Sequence, residues 1–170
     1  MKKSSFTIVG FLTILGCTAQ VPTDRAHCQN PDFDKKVANW INFSVKTISP
    51  SQAKALDSAI FFDARERNEF DVSHLPNAIF VGYKNFDAQQ LAAFDKNKPI
   101  VVYCSIGYRS EKIGEKLLKL GFKNVFNLYG SLFEWVNQGY EVVDTKGAKT
   151  QCVHTFNKSW SRWVDNKNID

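Results

Sequence analysis

Cys104 is the residue of this chain best placed to act as a nucleophile. It opens the segment Cys104-Ser105-Ile106-Gly107-Tyr108-Arg109, which follows an apolar run at 100–103 and leads into a helix-like stretch from Ser110 to Leu120. Backbone N–H groups of a tight strand-to-helix turn point inward, and the first N–H groups of the helix add partial positive charge there. Because thiolates are stabilised in such positions, the sequence predicts a reactive thiol. The alternative is a buried cysteine that only packs at the end of a strand.

Three segments, in this order, resemble the rhodanese-like sulfurtransferase family from about Thr47 to Val143. They are Asp63-Ala64-Arg65 through Glu69-Phe70 to Ser73-His74-Leu75-Pro76-Asn77-Ala78, the Cys104 loop with Gly107, Arg109 and Ser110, and Gly130-Ser131-Leu132-Phe133-Glu134-Trp135. The family usually has glycine where this chain has Ser73 and Ser131, two replacements that lie outside the loop and bear on turn geometry more than on activity. The resemblance implies an α/β fold with a five-stranded, mostly parallel sheet flanked by helices on both faces.

The length of the loop separates two chemistries that use a similar backbone cradle. In cysteine phosphatases the arginine lies one position further from the nucleophile than Arg109 does, at the place occupied here by Ser110. Tyr103 also replaces the histidine that usually precedes a phosphatase cysteine. The resemblance implies that this shorter loop closes around the outer sulfur of a cysteine persulfide, an anion that inward N–H donors stabilise.

The expected activity is therefore a transfer of sulfane sulfur through a Cys104 persulfide, from a small-molecule donor to a thiol or to cyanide. No metal or organic cofactor is expected. The alternative from another class is a membrane-tethered module that uses the rhodanese fold to hold a partner and has little or no turnover. That alternative is favoured by the tryptophans of the C-terminal segment.

The residues of the loop have separate expected roles. Ser105 to Ser110 would supply the N–H groups of the cradle, and Gly107 would permit its tight turn. Arg109 would either orient an anionic donor or brace the loop through an ion pair. Ile106 and Tyr108 make the mouth of the site apolar, so thiosulfate is expected to be a poor donor and an organic persulfide a better one.

Asp63 and Arg65 follow the end of the predicted strand 59–62, just as Cys104 follows the end of the predicted strand 100–103. Parallel α/β sheets place their sites at the carboxyl ends of the strands, so both residues are expected near the loop. The family pattern treats them as support for the geometry of the site, and an ordinary ion pair that anchors the turn at 65–70 is compatible with that role. His74 is expected to be a structural hydrogen-bonding residue and not a base.

Short apolar runs alternate with helix-like segments between Ala59 and Phe126, which is typical of βαβ units and a parallel sheet. The predicted strands are 59–62, 79–81, 100–103 and 125–128, and the predicted helices are 87–94, 110–120 and a third around 132–136. Gly121 is the expected stop of the second helix, in which Ile113, Leu117 and Leu120 have helical spacing. Close packing against the sheet would explain Gly114 inside that helix.

Composition is consistent with one folded domain that lacks the charge of a nucleic-acid-binding protein. The chain has 170 residues, of which 44% are hydrophobic, with 14 Phe and 4 Trp, enough for a sizeable core. The net charge of +5 includes Lys2 and Lys3, and the other basic residues are interspersed with acidic ones. Such a pattern is typical of solvated helix faces.

The N-terminus has the layout of a bacterial export signal, with Lys2 and Lys3 before an apolar stretch that is too short to span a bilayer. Ile14-Leu15-Gly16-Cys17 resembles a lipobox, which predicts a signal peptide at 1–16 and lipidation of Cys17. Cleavage after Ala19 is the alternative. The remaining predicted organisation is a tether at 17–30, a rhodanese-like domain with an N-terminal helix at 31–145 and an aromatic extension at 146–170. The protein would then be membrane-anchored, facing the periplasm or the cell exterior.

Two further cysteines, Cys28 and Cys152, would lie in a compartment where disulfides persist. Each precedes an apolar set with helical spacing, so packing of the two terminal helices side by side would bring the cysteines close enough to pair. With His27 and His154 they also make a zinc set, although the spacing matches no common module.

Trp160 and Trp163 form an aromatic stripe in the C-terminal extension. They would cover an edge of the core, or form a docking face for a protein partner or for the membrane surface.

Overall fold

The computed structural model describes residues 21–165 of the chain. Its helices are α1 (Pro31–Ala38), α2 (Pro50–Ala55), α3 (Arg67–Val72), α4 (Tyr108–Lys119), α5 (Ser131–Asn137) and α6 (Lys158–Ser161). Its strands are β1 (Thr47–Ile48), β2 (Ile60–Asp63), β3 (Ile79–Phe80), β4 (Pro99–Tyr103), β5 (Asn124–Leu128), β6 (Val142–Val143) and β7 (Lys149–Thr150).

The first five strands form one sheet in the order β1-β5-β4-β2-β3, and every neighbouring pair is parallel. Asp63 at the end of β2 pairs with Tyr103 at the end of β4, and Val102 pairs with Asn127 of β5. The carboxyl ends of the three central strands therefore meet at one edge of the sheet. This confirms the predicted α/β fold and the four strands predicted from apolar runs.

Helices cover both faces of this sheet. Side chains alternate between the two faces along each buried strand, so the helices on each face bury a separate set of strand side chains. On one face Tyr103 packs in a core cluster with Phe33 of α1 and Phe133 of α5. On the other face Val102 packs in a second cluster with Ile113 of α4. The strand that precedes Cys104 is thus held from both sides.

Helix α4 follows the Cys104 loop and has the predicted C-terminal stop. Gly121, with φ +89°, comes two residues after its last residue, and Leu120 at the helix end is exposed, unlike the buried Leu117. A Cβ added at Gly114 would lie 3.0 Å from a methyl carbon of Val45. The close neighbour of Gly114 is therefore the segment before β1. The expectation that Gly114 packs against the sheet was wrong.

Several short elements differ from the predictions. The segment predicted as a helix at 87–94 forms only a 3₁₀ turn at Ala88–Leu91. Helices α2 and α3 and the antiparallel pair β6–β7 were not predicted. Each has at most six residues, which is too short for periodicity to show, although both helices begin at a capping box, Ser49 with Gln52 and Glu66 with Glu69.

The two terminal segments pack onto the domain and onto each other. Arg25 forms an ion pair with Asp34 and donates to the Tyr129 hydroxyl, so the folded part of the chain begins before α1. The ring of Phe33 stacks on that of Trp163, with centroids 5.6 Å apart. The N-terminal helix and the C-terminal extension are therefore in contact, as expected for terminal helices that lie side by side.

Candidate active site

Cys104 directly follows β4, at the edge where the central parallel strands end. Its side chain is only 1% exposed. The chain turns at Gly107, whose φ of +125° strongly favours glycine, and α4 begins at the next residue. The Ser131 hydroxyl accepts a hydrogen bond from the Cys104 N–H at 3.0 Å. Sequence reasoning missed this contact, since it related Ser131 only to turn geometry; its φ is indeed +53°.

The Cys104 sulfur faces hydrogen-bond donors of its own loop. The Gly107 N–H donates to Sγ at 3.2 Å, and the Ser110 hydroxyl lies 3.6 Å from Sγ. Burial raises the pKa of the Cys104 thiol, but the charge of Arg109 and hydrogen bonds from Ser110 and Gly107 outweigh that effect and lower the pKa below its ordinary value. The geometry thus favours the thiolate, the nucleophilic form.

Arg109 is braced by a carboxylate that the sequence analysis did not assign to the site. Its guanidinium donates to both oxygens of Glu69, at 2.5 and 2.7 Å, and to the Ser105 hydroxyl at 3.0 Å. Burial raises the pKa of Glu69, but the hydrogen bonds and charge of Arg109 lower it by more, so Glu69 is an anion. Of the two roles expected for Arg109, the structure shows the bracing ion pair, and the same charge acts on Cys104.

Glu69 could have been found from the sequence by one signal. It lies at the third position of a helix, three residues after Glu66, within one of the segments that resemble the family. A partly buried arginine is expected to pair with a carboxylate, and Glu69 is only 2% exposed. Ser105, expected to offer its N–H group to the cradle, also contributes its hydroxyl, which donates to Glu69 at 3.2 Å.

Ser110 and Asn127 tie the loop to the neighbouring strand β5. The Ser110 hydroxyl donates to the side-chain oxygen Oδ1 of Asn127 at 2.7 Å, and the side-chain amide of Asn127 donates to the Gly107 backbone carbonyl at 3.0 Å. Both side chains are fully buried. These bonds fix the Gly107 turn and leave its N–H directed at the sulfur.

Asp63 and Arg65 form a fully buried ion pair at 2.6 Å. Arg65 also donates to the Ser73 carbonyl at 2.6 Å, and its guanidinium lies 5.7 Å from the centre of the Tyr103 ring. The pair therefore supports the residue that precedes Cys104 and anchors the turn after β2, so its two expected roles coincide. His74 has the structural role expected, with Nδ1 3.0 Å from the Phe70 carbonyl oxygen.

A cavity of about 320 Å³ opens over Cys104. Its apolar walls are Trp40, Ile106, Tyr108, Phe156 and Trp160. Charged side chains at the cavity are Glu66, Lys84 and Arg109. Ile106 and Tyr108 thus lie at the mouth, as predicted, whereas the contributions of Trp40, Phe156 and Trp160 were not foreseen.

The predicted disulfide is absent, because Cys28 and Cys152 are both free thiols. Cys28 is buried in the core, where its sulfur lies close to Gly130 and Glu134, whereas Cys152 lies in the extended segment after β7. Burial and the nearby Glu134 carboxylate raise the pKa of the Cys28 thiol, which disfavours exchange. Within residues 21–165 no three His, Cys, Asp or Glu side chains are grouped as a metal site would require, so the alternative zinc set is not assembled.

The predicted signal peptide at 1–16 and the lipidation site Cys17 lie outside the described residues. Across residues 21–165 no helix has the length and apolar character needed to cross a bilayer.

The fold and the loop place this chain among rhodanese-like α/β domains. Residues 49–138 match the Rhodanese family, described as "Rhodanese-like domain", and the chain belongs to that family. The rhodanese-like domain of an Anabaena protein aligns with a TM-score of 0.55 at 18% identity, covering 61% of this chain and 83% of that one. A thiosulfate sulfurtransferase from Pseudomonas aeruginosa aligns with a TM-score of 0.52 at 23% identity, covering 62% of this chain and 22% of that one. These likenesses show the fold.

Curated relatives share part of this domain. A tRNA uridine(34) hydroxylase of Yersinia enterocolitica is 38% identical over 87 residues, which are 48% of this chain and 25% of that protein. A protein of the same name from Hamiltonella defensa is 41% identical over 83 residues, covering 46% of this chain and 23% of that protein. The chain thus spans about a quarter of the length of these relatives.

Proposed function

We propose that the protein is a sulfurtransferase that carries sulfane sulfur on Cys104. The observation that carries the proposal is the buried thiol that accepts a hydrogen bond from the Gly107 N–H, with the charge of Arg109 and hydrogen bonds from Ser110 lowering its pKa. A persulfide extends the sulfur by one atom and keeps the negative charge in the loop, where the same donors stabilise it.

The reaction has two displacements and needs no external oxidant. In the first, the Cys104 thiolate attacks the outer sulfur of a donor R–S–SH; the S–S bond of the donor breaks, and R–S⁻ leaves with its electron pair and takes up the proton of the transferred sulfur, giving R–SH and the anion Cys104–S–S⁻. In the second, a thiolate or cyanide attacks the outer sulfur, and the Cys104 thiolate leaves as it began. Arg109 stabilises the negative charge on the Cys104 sulfur at the start and the end of the cycle.

The proposed partners are a small-molecule sulfur donor and a thiol or cyanide acceptor. A nucleic-acid partner is not included, because the basic residues of this chain are interspersed with acidic ones. The curated relatives act on tRNA according to their name, but three quarters of their length has no counterpart in the matched region.

Mass spectrometry of the Cys104 peptide tests the proposal. The purified protein is exposed to a low-molecular-weight organic persulfide or to thiosulfate, and free thiols are then blocked. We expect the Cys104 peptide to gain one sulfur atom, rapidly from the organic persulfide and slowly from thiosulfate, and to lose it on addition of cyanide with formation of thiocyanate.

Two variants separate this activity from other thiol chemistry. Cys104→Ser removes the proposed carrier, whereas Cys152→Ser removes a more accessible thiol away from the cavity and serves as the matched control. Sulfur uptake that survives in the first variant, or that is missing from wild-type Cys104 with every donor, refutes the proposal. If the cellular task survives in Cys104→Ser, the binding-module alternative is favoured.

We also propose that lipidated Cys17 anchors the exported protein to a membrane, with the domain facing the periplasm or the cell exterior. Support comes from the sequence, in which Lys2 and Lys3 precede an apolar stretch that ends at Ile14-Leu15-Gly16-Cys17. More than one acyl chain at this residue gives lasting attachment.

A further inference from the structure

Three of the aromatic side chains that line the cavity over Cys104 come from parts of the chain outside the matched family region. That region covers residues 49–138, whereas Trp40 precedes it and Phe156 and Trp160 follow it. Tyr108, on the loop side, meets Trp40 with ring centroids 6.2 Å apart. The family domain thus supplies the reactive loop, and the two flanking segments supply the opposite wall.

Trp40 contacts both Tyr108 and Trp160, and Phe156 completes this aromatic wall beside Arg109. Trp40 and Trp160 meet edge to face at 5.3 Å, and the Lys36 ammonium lies 5.3 and 5.6 Å from the centres of their rings. The Arg109 guanidinium lies 5.6 Å from the centre of the Phe156 ring. The residue that stabilises the Cys104 thiolate therefore also contacts the C-terminal extension.

The extension is fixed in place beyond the cavity. Val164 is buried, Trp163 stacks on Phe33, and the Asn137 side chain bonds the backbone at both Trp163, at 2.8 Å, and Asp165, at 2.9 Å. An extension anchored in this way holds its aromatic residues over the loop as a constant part of the cavity.

We propose that this wall binds the apolar organic group R of a hydropersulfide donor R–S–SH, with R an aryl or alkyl group. The inference rests on the proposed function, which places the outer sulfur at Cys104 and hence R in the cavity above it. Aromatic walls favour an apolar R, since its burial removes apolar surface from water.

Charge at the cavity argues against a small dianion such as thiosulfate as the preferred donor. Arg109 is already paired with Glu69, and Lys84 faces a cavity that also contains Glu66. Of the two cations that line the described cavity, only Lys84 is not in an ion pair with a carboxylate. A dianion would therefore meet a single available cation, and it would have to leave water for an aromatic surface. The transfer step is balanced as above: the donor S–S bond breaks, a new S–S bond forms on Cys104, and R–S⁻ departs.

Alkylation with matched electrophiles tests the wall without requiring sulfur transfer. The rates of modification of Cys104 by iodoacetamide and N-benzyl iodoacetamide are measured at the peptide level, and each is divided by the rate for free glutathione. We expect the benzyl reagent to be favoured about tenfold at Cys104, which corresponds to about 1.4 kcal/mol and to burial of part of a phenyl ring.

Phe156→Ala and Trp160→Ala should each reduce this preference at least threefold. Phe156 is 56% exposed, so its variant is expected to fold even if the Trp160 variant does not. Leu118→Ala, at an exposed position of α4 outside the cavity, is the matched control and should leave the preference unchanged. A wild-type preference near one, or a preference that Phe156→Ala does not change, overturns the inference.

The same variants are then compared with two sulfur donors, benzyl hydropersulfide and thiosulfate. A fall in the ratio of the benzyl hydropersulfide rate to the thiosulfate rate in Phe156→Ala, with the wild-type ratio kept in Leu118→Ala, supports the inference. Transfer from both donors at equal rates refutes the inference and leaves the proposed function standing. Failure of both donors in a protein that keeps its benzyl preference in alkylation refutes the proposed function and leaves an apolar binding wall.

Discussion

Removing the charge of Arg109 should separate its role in stability from its role in thiol chemistry. Arg109→Gln leaves Glu69, which is only 2% exposed, without its bidentate partner. An unpaired buried carboxylate costs about 3 kcal/mol, and in a protein of this size that lowers the melting temperature by about 6–12 °C. The loss of the cation also removes the leading cause that lowers the Cys104 pKa, so the thiol titrates at higher pH.

Two further variants isolate these effects. In the double variant Arg109→Gln/Glu69→Gln no buried charge is left unpaired, so most of the stability should return while the Cys104 pKa stays raised. Arg109→Lys keeps a cation but loses the planar bidentate geometry, so it should lose stability and keep most of the lowered pKa.

The assays are thermal unfolding and the rate of Cys104 alkylation as a function of pH. We expect the alkylation profile to shift to higher pH in both variants that lack the cation and to stay near the wild-type profile in the lysine variant. A profile that is identical in all four proteins would refute the argument that Arg109 stabilises the thiolate. Equal stability of the single and double variants would refute the bracing role of the ion pair.

Two other predictions concern the backbone and the tether. Gly130→Ala should destabilise the protein by about 1–3 kcal/mol more than Gly139→Ala, as measured by urea unfolding. Both glycines have positive φ, but only Gly130 has a neighbour 2.6 Å from an added Cβ. Equal losses of stability in the two variants would contradict this reasoning. Cys17→Ser should release the protein from the membrane fraction of its host and abolish incorporation of labelled fatty acid, and a variant that stays lipidated would exclude Cys17 as the anchor.

The sequence was sufficient to place Cys104 at the start of the loop because its signals are local. An apolar strand, a cysteine, a glycine and a helix follow one another within a short segment, and the structure places Cys104 and Gly107 as this order indicates. The central strands were also predictable, since buried parallel strands are read as short apolar runs. Short β1 was anticipated only through the family resemblance.

Contacts between distant segments could not be derived in the same way. Glu69 reaches Arg109 only because β2 and β4 are neighbours in the sheet, which places α3 beside the loop. The disulfide prediction assumed that Cys28 and Cys152 meet where the two terminal helices pack side by side, and it was wrong because Cys28 is buried in the core and both cysteines are free thiols. No local pattern indicated that Phe156 would lie over Cys104, since the relevant distance is set by tertiary packing alone.

The position of Arg109 links two parts of the chain that otherwise have separate tasks. On one side its guanidinium is held by Glu69 of the family domain, and on the other it lies 5.6 Å from the centre of the Phe156 ring. The pKa of Cys104 depends on the charge of this guanidinium, which the ion pair fixes without help from the extension. The pKa of the thiol is therefore set within the family domain, whereas the proposed selection of the donor belongs to the flanking segments.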